Sequence, residues 1–191
     1  QSDWDGARRH FEAALAIWER SLGPQHSDLA YPLGNLGALA KDQGRYADAR
    51  AYLERALDIW QRSLGPDHPS VASMLDNLGS LAIAEGKPEL ACEHYEQALA
   101  LRERAQGADH VHVAFSLTGL GRAWLVRGEP QRARPLLERA LTLRTSGEVP
   151  DYQRGEVRFA LARALAALPT PELARARELA GQARDDYLRY A

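Results

Sequence analysis

The fold is decided by a stretch of 42 residues, Gly44–Glu85, which reads GRYADARAYLERALDIWQRSLGPDHPSVASMLDNLGSLAIAE. The chain repeats this pattern on both sides, without a gap, from Ser2 through Gly128. Marker residues recur every 42 positions, at Gly44, Gly86 and Gly128, at Gly23, Gly65 and Gly107, at His26, His68 and His110, and at Leu36, Leu78 and Leu120. A fixed period of this size indicates stacked structural units, because a single unit cannot bury its own apolar face.

Each unit is predicted to form two antiparallel helices. Residues 4–22 place apolar side chains at the i, i+3, i+4, i+7 spacing of an amphipathic helix, and Gly23-Pro24 ends that helix. Ser27 or Asp28 is then in position to cap a second helix that runs through Gln43. Since no β-branched run alternates with period two, no strand is expected. The predicted fold is all-α, a right-handed superhelical solenoid of antiparallel helix pairs.

The chain is predicted to be a single repeat array over residues 1–191. One unpaired helix (3–22) precedes four helix pairs (27–64, 69–106, 111–145 and 152–190), and the last helix is expected to run from Thr170 to Tyr190. The fourth unit departs from the pattern, because residues 144–150 replace the LGPDHP loop and Leu161 follows Leu120 by 41 residues. The sequence begins without a methionine and in the middle of a repeat, so we interpret it as a fragment of a longer protein.

The composition argues against several classes of function. A chain with 45% hydrophobic and 26% charged residues is expected to bury a continuous core. The formal net charge of −2 argues against a nucleic-acid or anionic-membrane surface, which needs a basic excess. No run approaches the ~20 apolar residues of a membrane span, and no signal peptide is recognisable. The single cysteine, Cys92, fits a reducing compartment, so we expect a cytoplasmic protein.

No catalytic, cofactor or metal site is predicted, and the chain is expected not to be an enzyme. The motifs GxxxxGK[ST], HExxH, GxSxG and CxxC do not occur in the sequence. Equivalent positions in adjacent units lie roughly 10 Å apart. His26, His68 and His110 therefore cannot converge on one zinc ion, whose ligands lie at about 2 Å. We expect these histidines to fix each loop to the helix that follows.

The order of small and large residues within a unit resembles the tetratricopeptide repeat. Leu78-Gly79, Gly86, Ala91, Tyr95 and Ala98 follow that family's order. The resemblance implies that the two helices of a pair approach most closely at small residues, here Gly37, Gly79, Gly121, Ala49, Ala91 and Ala133, and that Phe11, Leu53 and Tyr95 fill the space between neighbours. The 42-residue period is longer than the common ~34 residues. In this respect the units resemble the repeats of kinesin light chain and of bacterial STAND (NB-ARC or NACHT) ATPases.

The resemblance also implies a concave groove lined by the first helix of each pair. Side chains that the repeat does not need for packing would form columns across it. The predicted peptide-binding residues are Tyr31, Asn35, Asp76, Asn77, Ser80, Phe115, Arg122, Phe159 and Arg163. Asn35 and Asn77 match a position where family members commonly hold the ligand backbone. Arg122 and Arg163 are placed to grip a carboxylate, and the alternative is that both are simply solvated surface residues.

Two functions of different classes remain open at this point. The leading prediction is a non-catalytic module that binds a protein or peptide in the groove, as the sensor or scaffold region of a larger bacterial signalling protein such as a STAND ATPase. The alternative is a purely structural or oligomerisation array with no groove ligand. Weak self-association is also expected, because Phe11 and Trp18 on the unpaired helix would leave an exposed apolar face. No cofactor, nucleic acid or membrane partner is expected.

Overall fold

The protein is described here by a computed structural model that covers residues 4–145 and 150–190. Nine α-helices and one 3-10 turn follow one another within these residues, and no strand occurs among them, which confirms the all-α prediction. The elements are α1 (Trp4–Leu22), the 3-10 turn (Ser27–Leu29), α2 (Ala30–Asp42), α3 (Tyr46–Leu64), α4 (Pro69–Ala84), α5 (Pro88–Gln106), α6 (Val113–Val126), α7 (Pro130–Thr145), α8 (Asp151–Ala166) and α9 (Leu173–Tyr190). None of these helices is long and apolar enough to cross a bilayer.

The helices are stacked in chain order. Each helix lies against the next one, and α2, α4, α6 and α8 also lie side by side as first helices of consecutive units. Within the described residues no helix backbone approaches an element farther away than the next first helix. Long ion pairs add a second level of contact, such as the one between Arg55 of α3 and Glu19 of α1 at 2.6 Å. This nearest-neighbour arrangement is that of a helical solenoid.

Glycine closes the tight turn between the two helices of a pair. Gly44, Gly86 and Gly128 have φ values of 74–75°. That left-handed conformation is readily adopted only by glycine, which has no Cβ to clash with the backbone. The turn glycines identified from the 42-residue period are thus required by the backbone.

Histidine closes the loop that joins one helix pair to the next. Nδ1 of His26 accepts a hydrogen bond from the backbone N–H of Asp28 at 3.3 Å. The same bond joins Ser70 N–H to His68 and His112 N–H to His110, both at 3.2 Å. The predicted role of these histidines is therefore confirmed. The prediction that Ser27 or Asp28 caps a helix through Gln43 is wrong, because His26 takes the capping position of a 3-10 turn and α2 begins only at Ala30.

Two helices begin later than predicted. Pro69 occupies the first turn of α4 and fixes its backbone for helix entry. The equivalent position in the next unit is Val111, and α6 begins only at Val113. In the last pair, Pro169 and Pro171 lie in the connection, and α9 begins at Leu173 rather than at residue 170.

The two helices of a pair approach most closely at glycine, as predicted. A Cβ placed on Gly37 would lie 2.6 Å from Cγ of Leu53, and one on Gly121 would lie 2.6 Å from Cγ of Leu137. These distances are shorter than van der Waals contact, so a larger residue would push the pair apart. The packing glycines thus fix how deeply each second helix sits against its first helix.

Candidate functional site

A cavity of about 400 Å³ opens on the surface formed by α4, α6 and α8. Five of the nine predicted groove residues line it, namely Asp76, Asn77, Ser80, Phe115 and Arg122. They come from α4 and α6, which lie side by side, so residues more than 40 positions apart in sequence face one space. We name this space the central cavity.

A second cavity of about 390 Å³ continues from the central one along α8. It is lined by the predicted residues Arg122, Phe159 and Arg163, and by Tyr187 of α9. Arg122 lines both cavities and therefore marks the boundary between them. Phe159 is 51% exposed, which is unusual for a large aromatic side chain in a helical array.

The remaining two predicted residues lie away from these cavities. Tyr31 is 59% exposed, and its ring packs edge-on against Trp60 with centroids 5.2 Å apart. Asn35 is exposed on α2. Neither residue lines either cavity. The structure therefore brings together the predicted residues of the second, third and fourth helix pairs.

The wall of the central cavity contains a buried ion pair that the sequence did not suggest. Nη2 of Arg102 donates to Oδ2 of Asp76 at 2.6 Å, and the arginine is only 5% exposed. The same guanidinium donates to Ser116 and Ser73, each at 3.2 Å, and the Ser116 hydroxyl donates to Oδ1 of Asp76 at 2.9 Å. Both carboxylate oxygens of Asp76 are thus engaged within the protein.

The charge state of Asp76 depends on two opposing effects. Burial raises the pKa of its carboxyl group above the ordinary aspartate value, and Arg102 and the Ser116 hydroxyl offset only part of that rise. The carboxylate is held by the ion pair and not by solvent. Asp76 therefore serves to position Arg102 in the cavity wall.

Arg122 also has a partner inside the groove. Its Nη1 lies 2.6 Å from Oε1 of Glu156 on α8, and both side chains are more than 40% exposed. An exposed pair of this kind contributes little to stability and can exchange partners. Arg122 thus remains available to a ligand, although a ligand carboxylate would compete with Glu156.

A second arginine from a second helix enters the central cavity. Arg144 of α7 is 3% exposed, and its guanidinium carbon lies 4.0 Å from the centre of the Phe115 ring. Nη1 donates to Oε1 of Gln153 at 2.5 Å. Burial lowers the pKa of Arg144 from the usual arginine value, but arginine stays protonated at any physiological pH. The cavity therefore holds a buried cation against an exposed aromatic ring.

The 42-residue period already groups Arg102 and Arg144 in the sequence. Both follow Trp18 and Trp60 in one register of 42 residues, so the second helices carry tryptophan in two units and arginine in the next two. We expected only first helices to line the groove. Long arginine side chains extend past the helix that bears them, which explains how α5 and α7 reach the cavity.

Ser80 lies between two further groups. Nζ of Lys41 donates to its hydroxyl at 3.0 Å, which connects the end of α2 to α4. The nearby phenol of Tyr95 has a raised pKa because it is buried, so it stays a neutral hydrogen-bonding group. No group of three His, Cys, Asp or Glu side chains in the described parts of the chain is arranged to hold a metal ion. The site is suited to polar and aromatic contacts.

A sequence model of the tetratricopeptide repeat matches residues 1–51, 28–91 and 70–146, and a second tetratricopeptide-repeat model matches residues 118–187. The chain belongs to the tetratricopeptide-repeat family. This family is typically non-catalytic, and its fold indicates a role in protein–protein interaction or scaffolding. No curated protein matches this tetratricopeptide-repeat chain significantly in sequence.

Several solved structures share the tetratricopeptide-repeat architecture of this chain. BtubC (BKLC) from P. vanneervenii has a TM-score of 0.78 at 23% identity, over 99% of this chain and 75% of that one. A putative kinesin light chain from Podosopora anserina with nearly identical TPR-like repeats has a TM-score of 0.69 at 24% identity, over 98% and 88% of the two chains. MamA has a TM-score of 0.61 at 18% identity, over 98% and 91%. At these identities the similarity shows the fold, and it confirms the resemblance to kinesin light chain repeats.

Proposed function

We propose that this tetratricopeptide-repeat protein is a non-catalytic binding module whose concave groove takes an extended peptide segment of a partner protein. The observation that supports it is the pair of adjoining cavities, in which the exposed rings of Phe115 and Phe159 alternate with polar groups such as Asn77. Exposed aromatic side chains beside convergent polar groups are typical of peptide-binding surfaces. Asn77 and Ser80 offer hydrogen bonds to a peptide backbone, and the rings offer apolar contacts.

The proposal is tested by selecting binders from a displayed library of short random peptides. The strongest binder is then titrated against the Phe115→Ala, Phe159→Ala double variant. Loss of two half-exposed aromatic contacts is expected to weaken binding by about tenfold or more. Arg62→Ala is the matched control, because Arg62 is 71% exposed and pairs with Asp58 of its own helix. A footprint confined to residues of α3, α5 and α7 that line neither cavity would contradict the groove assignment, as would equal affinity for the wild type, the double variant and Arg62→Ala.

Arg122 and Arg163 are expected to favour acidic peptides. Both line the second cavity, and a charged contact typically contributes about 1.5–3 kcal/mol. Arg122→Ala with Arg163→Ala is therefore expected to weaken binding of an acidic peptide by about tenfold or more at unchanged helical content. The measurement is a titration at two salt concentrations, and unchanged affinity would leave both arginines as solvated surface residues.

We further propose that the module is the sensor or scaffold region of a larger cytoplasmic signalling protein such as a STAND ATPase. The support is the long 42-residue period, which is similar to the repeats of those proteins, together with the single cysteine, Cys92. The complete coding sequence provides the test. An adjoining module with a GxxxxGK[ST] motif would favour the sensor role, whereas a repeat array alone would leave a scaffold or adaptor.

A second candidate function is a structural array that associates through α1. Trp18, Ile17 and Leu22 are 36%, 54% and 44% exposed on this helix, and Phe11 is half-buried. Apolar side chains grouped in this way favour association. Sedimentation of the wild type and of an Ile17→Glu, Trp18→Glu variant provides the test. A monomer at every concentration for both proteins would exclude self-association through this helix.

A further inference from the structure

Arg102 and Arg144 occupy equivalent places in consecutive units. They are 42 residues apart, and each reaches back to the first helix of its own pair at equivalent positions, Ser73 and Phe115. Both are almost completely buried, at 5% and 3% exposure. The two guanidiniums are therefore two copies of one structural feature, and their surroundings can be compared directly.

The comparison shows that Arg144 lacks the counter-ion that Arg102 has. Arg102 is paired with Asp76, and the residue 42 positions after Asp76 is Thr118. The Thr118 hydroxyl donates to the carbonyl oxygen of Ala114 at 2.6 Å, so it is occupied by its own helix. No carboxylate among the described residues forms an ion pair with Arg144.

The guanidinium of Arg144 is also incompletely hydrogen-bonded. Nη1 donates to Gln153, but Nε is buried with no acceptor in the described parts of the chain. A buried cation is normally paired, because removing its charge from water is costly without a compensating anion. Arg144 lines the central cavity, so the missing acceptor can be supplied from the groove.

The charge balance of the cavity defines the missing anion. The other two arginines in its wall are already paired, Arg102 with Asp76 and Arg122 with Glu156. Burial lowers the pKa of His112, and neighbouring cations lower it further, so its imidazole is neutral at physiological pH. Glu156 acts on Arg144 only at longer range, because its carboxylate is paired with Arg122. One positive charge therefore remains in excess. A monovalent anion balances it, whereas a doubly charged phosphate would face Asp76 and Glu156 without compensation.

We infer that Arg144, Phe115 and Gln153 form a subsite for one carboxylate of a peptide ligand, which takes the place that Asp76 has beside Arg102. This inference rests on the proposed peptide-binding function and names the group that the central cavity recognises. The planar guanidinium offers Nε and an Nη to the two oxygens of a carboxylate. The exposed face of Phe115, which is 39% accessible, offers an apolar contact to the neighbouring side chain of the peptide.

The subsite is tested with defined peptides, so that the result does not depend on finding a natural partner. The probes are Ac-LAEAL-NH2, its glutamine counterpart Ac-LAQAL-NH2, and Ac-LAQAL with a free carboxyl terminus. Each is titrated into isotopically labelled protein while the Nε–Hε signal of Arg144 is followed by NMR. We expect a saturating shift of that signal with a carboxylate probe and at least about tenfold weaker binding of the neutral probe. The third probe distinguishes a side-chain carboxylate from a chain terminus.

Three variants complete the experiment. Thr118→Asp supplies an internal counter-ion and is expected to reduce the difference between the acidic and neutral probes to the part that Arg122 and Arg163 contribute. Arg144→Met removes the cation with little change in volume and is expected to do the same, so the test survives if one variant does not fold. Arg104→Met is the matched control, since Arg104 is 69% exposed, and it is expected to bind like the wild type.

The outcomes separate this inference from the proposed function. Equal affinity for acidic and neutral probes, with shifts at Asn77 and Phe115, would overturn the carboxylate subsite and leave peptide binding intact. Absence of any shift of Arg144 up to about 10 mM probe would also overturn the subsite, and the library selection described above would then decide the proposed function alone.

Discussion

Gly119 of α6 lies directly against the ring of Tyr95 of α5. A Cβ added to Gly119 would lie 2.1 Å from Cε1 of that ring, far inside van der Waals contact. In the preceding unit, Leu53 takes the place of Tyr95 and Asn77 takes the place of Gly119. The smaller leucine on the second helix there leaves room for the larger asparagine on the first helix. Asn35, Asn77 and Gly119 occupy equivalent positions in successive units. The bulk of Tyr95 thus explains why the third of these positions is glycine and not asparagine.

Gly119→Ala is expected to destabilise the protein by about 1–3 kcal/mol, because the added methyl group overpacks against a buried ring. Urea unfolding followed by circular dichroism measures the change. Gly181→Ala is the matched control, since a Cβ at Gly181 meets nothing within 4 Å and α9 should gain helix propensity. The double variant Tyr95→Leu, Gly119→Asn reproduces the pair of the preceding unit and should recover part of the loss. Equal stabilities for the two alanine variants would contradict this account.

Asp76→Asn is expected to lower the free energy of unfolding by about 3 kcal/mol, because it leaves the buried guanidinium of Arg102 without its counter-ion. Chemical denaturation at neutral pH provides the measurement. Asp67→Asn removes the partner of an exposed arginine, with the carboxylate 80% exposed, and should change stability by less than about 0.5 kcal/mol. Similar losses in both variants would show that burial of the Arg102 pair has no energetic consequence.

Thr118→Asp is expected to raise the free energy of unfolding by about 1.5–3 kcal/mol, because it supplies Arg144 with a charged hydrogen-bond partner. Thr118→Val removes the same hydroxyl without adding charge and serves as the control. The two variants are compared by thermal unfolding in the absence of any peptide. A Thr118→Asp protein that is less stable than Thr118→Val would mean that Arg144 does not need an anion.

Glu85→Gln is expected to remove part of the acid sensitivity of the fold. Burial alone would raise the pKa of Glu85, but hydrogen bonds from Lys87 and Arg50 outweigh it and hold the pKa below its ordinary value. A carboxylate whose pKa is lower in the folded state contributes stability that is complete above its unfolded-state pKa of about 4.5 and is lost as the pH falls through the folded-state value.

Denaturation midpoints measured from neutral pH down through this acidic range provide the test. The wild type should lose stability more steeply than Glu85→Gln below the ordinary glutamate pKa. Asp67→Asn again serves as the control, because the Asp67 carboxylate is exposed. Parallel curves for wild type and Glu85→Gln would show that the contacts with Arg50 and Lys87 do not stabilise the fold.

Most of the fold could be predicted because residues that recur with the repeat period are those that the packing of each unit requires. A glycine such as Gly37 recurs only if every unit needs the same close approach, and the structure shows that approach against Leu53. The helix starts were less predictable, because the recurrence of His26 indicated a contact with the following helix but not the 3-10 turn that delays the start of α2. Departures from the period, such as Val111 in place of Pro69, moved a helix start by two residues.

The candidate site was predicted only in part because the columns considered all lay on first helices. Phe115 and Arg122 could be placed by register alone, and both line the central cavity. Arg144 could not be placed by register alone, because its guanidinium extends from α7 into the cavity. Whether it reaches the cavity depends on how α7 crosses α6. To recognise that Arg144 lacks a counter-ion, one must know that Arg102 pairs with Asp76 and that the position equivalent to Asp76 is Thr118.

The stacking of each helix against its immediate neighbours has a mechanical consequence. A force applied at the two ends of such an array would load the interfaces in series, so each would carry the full tension. The array would lengthen by small flexing movements shared among all its joints, and the central cavity would widen as α4, α6 and α8 spread apart.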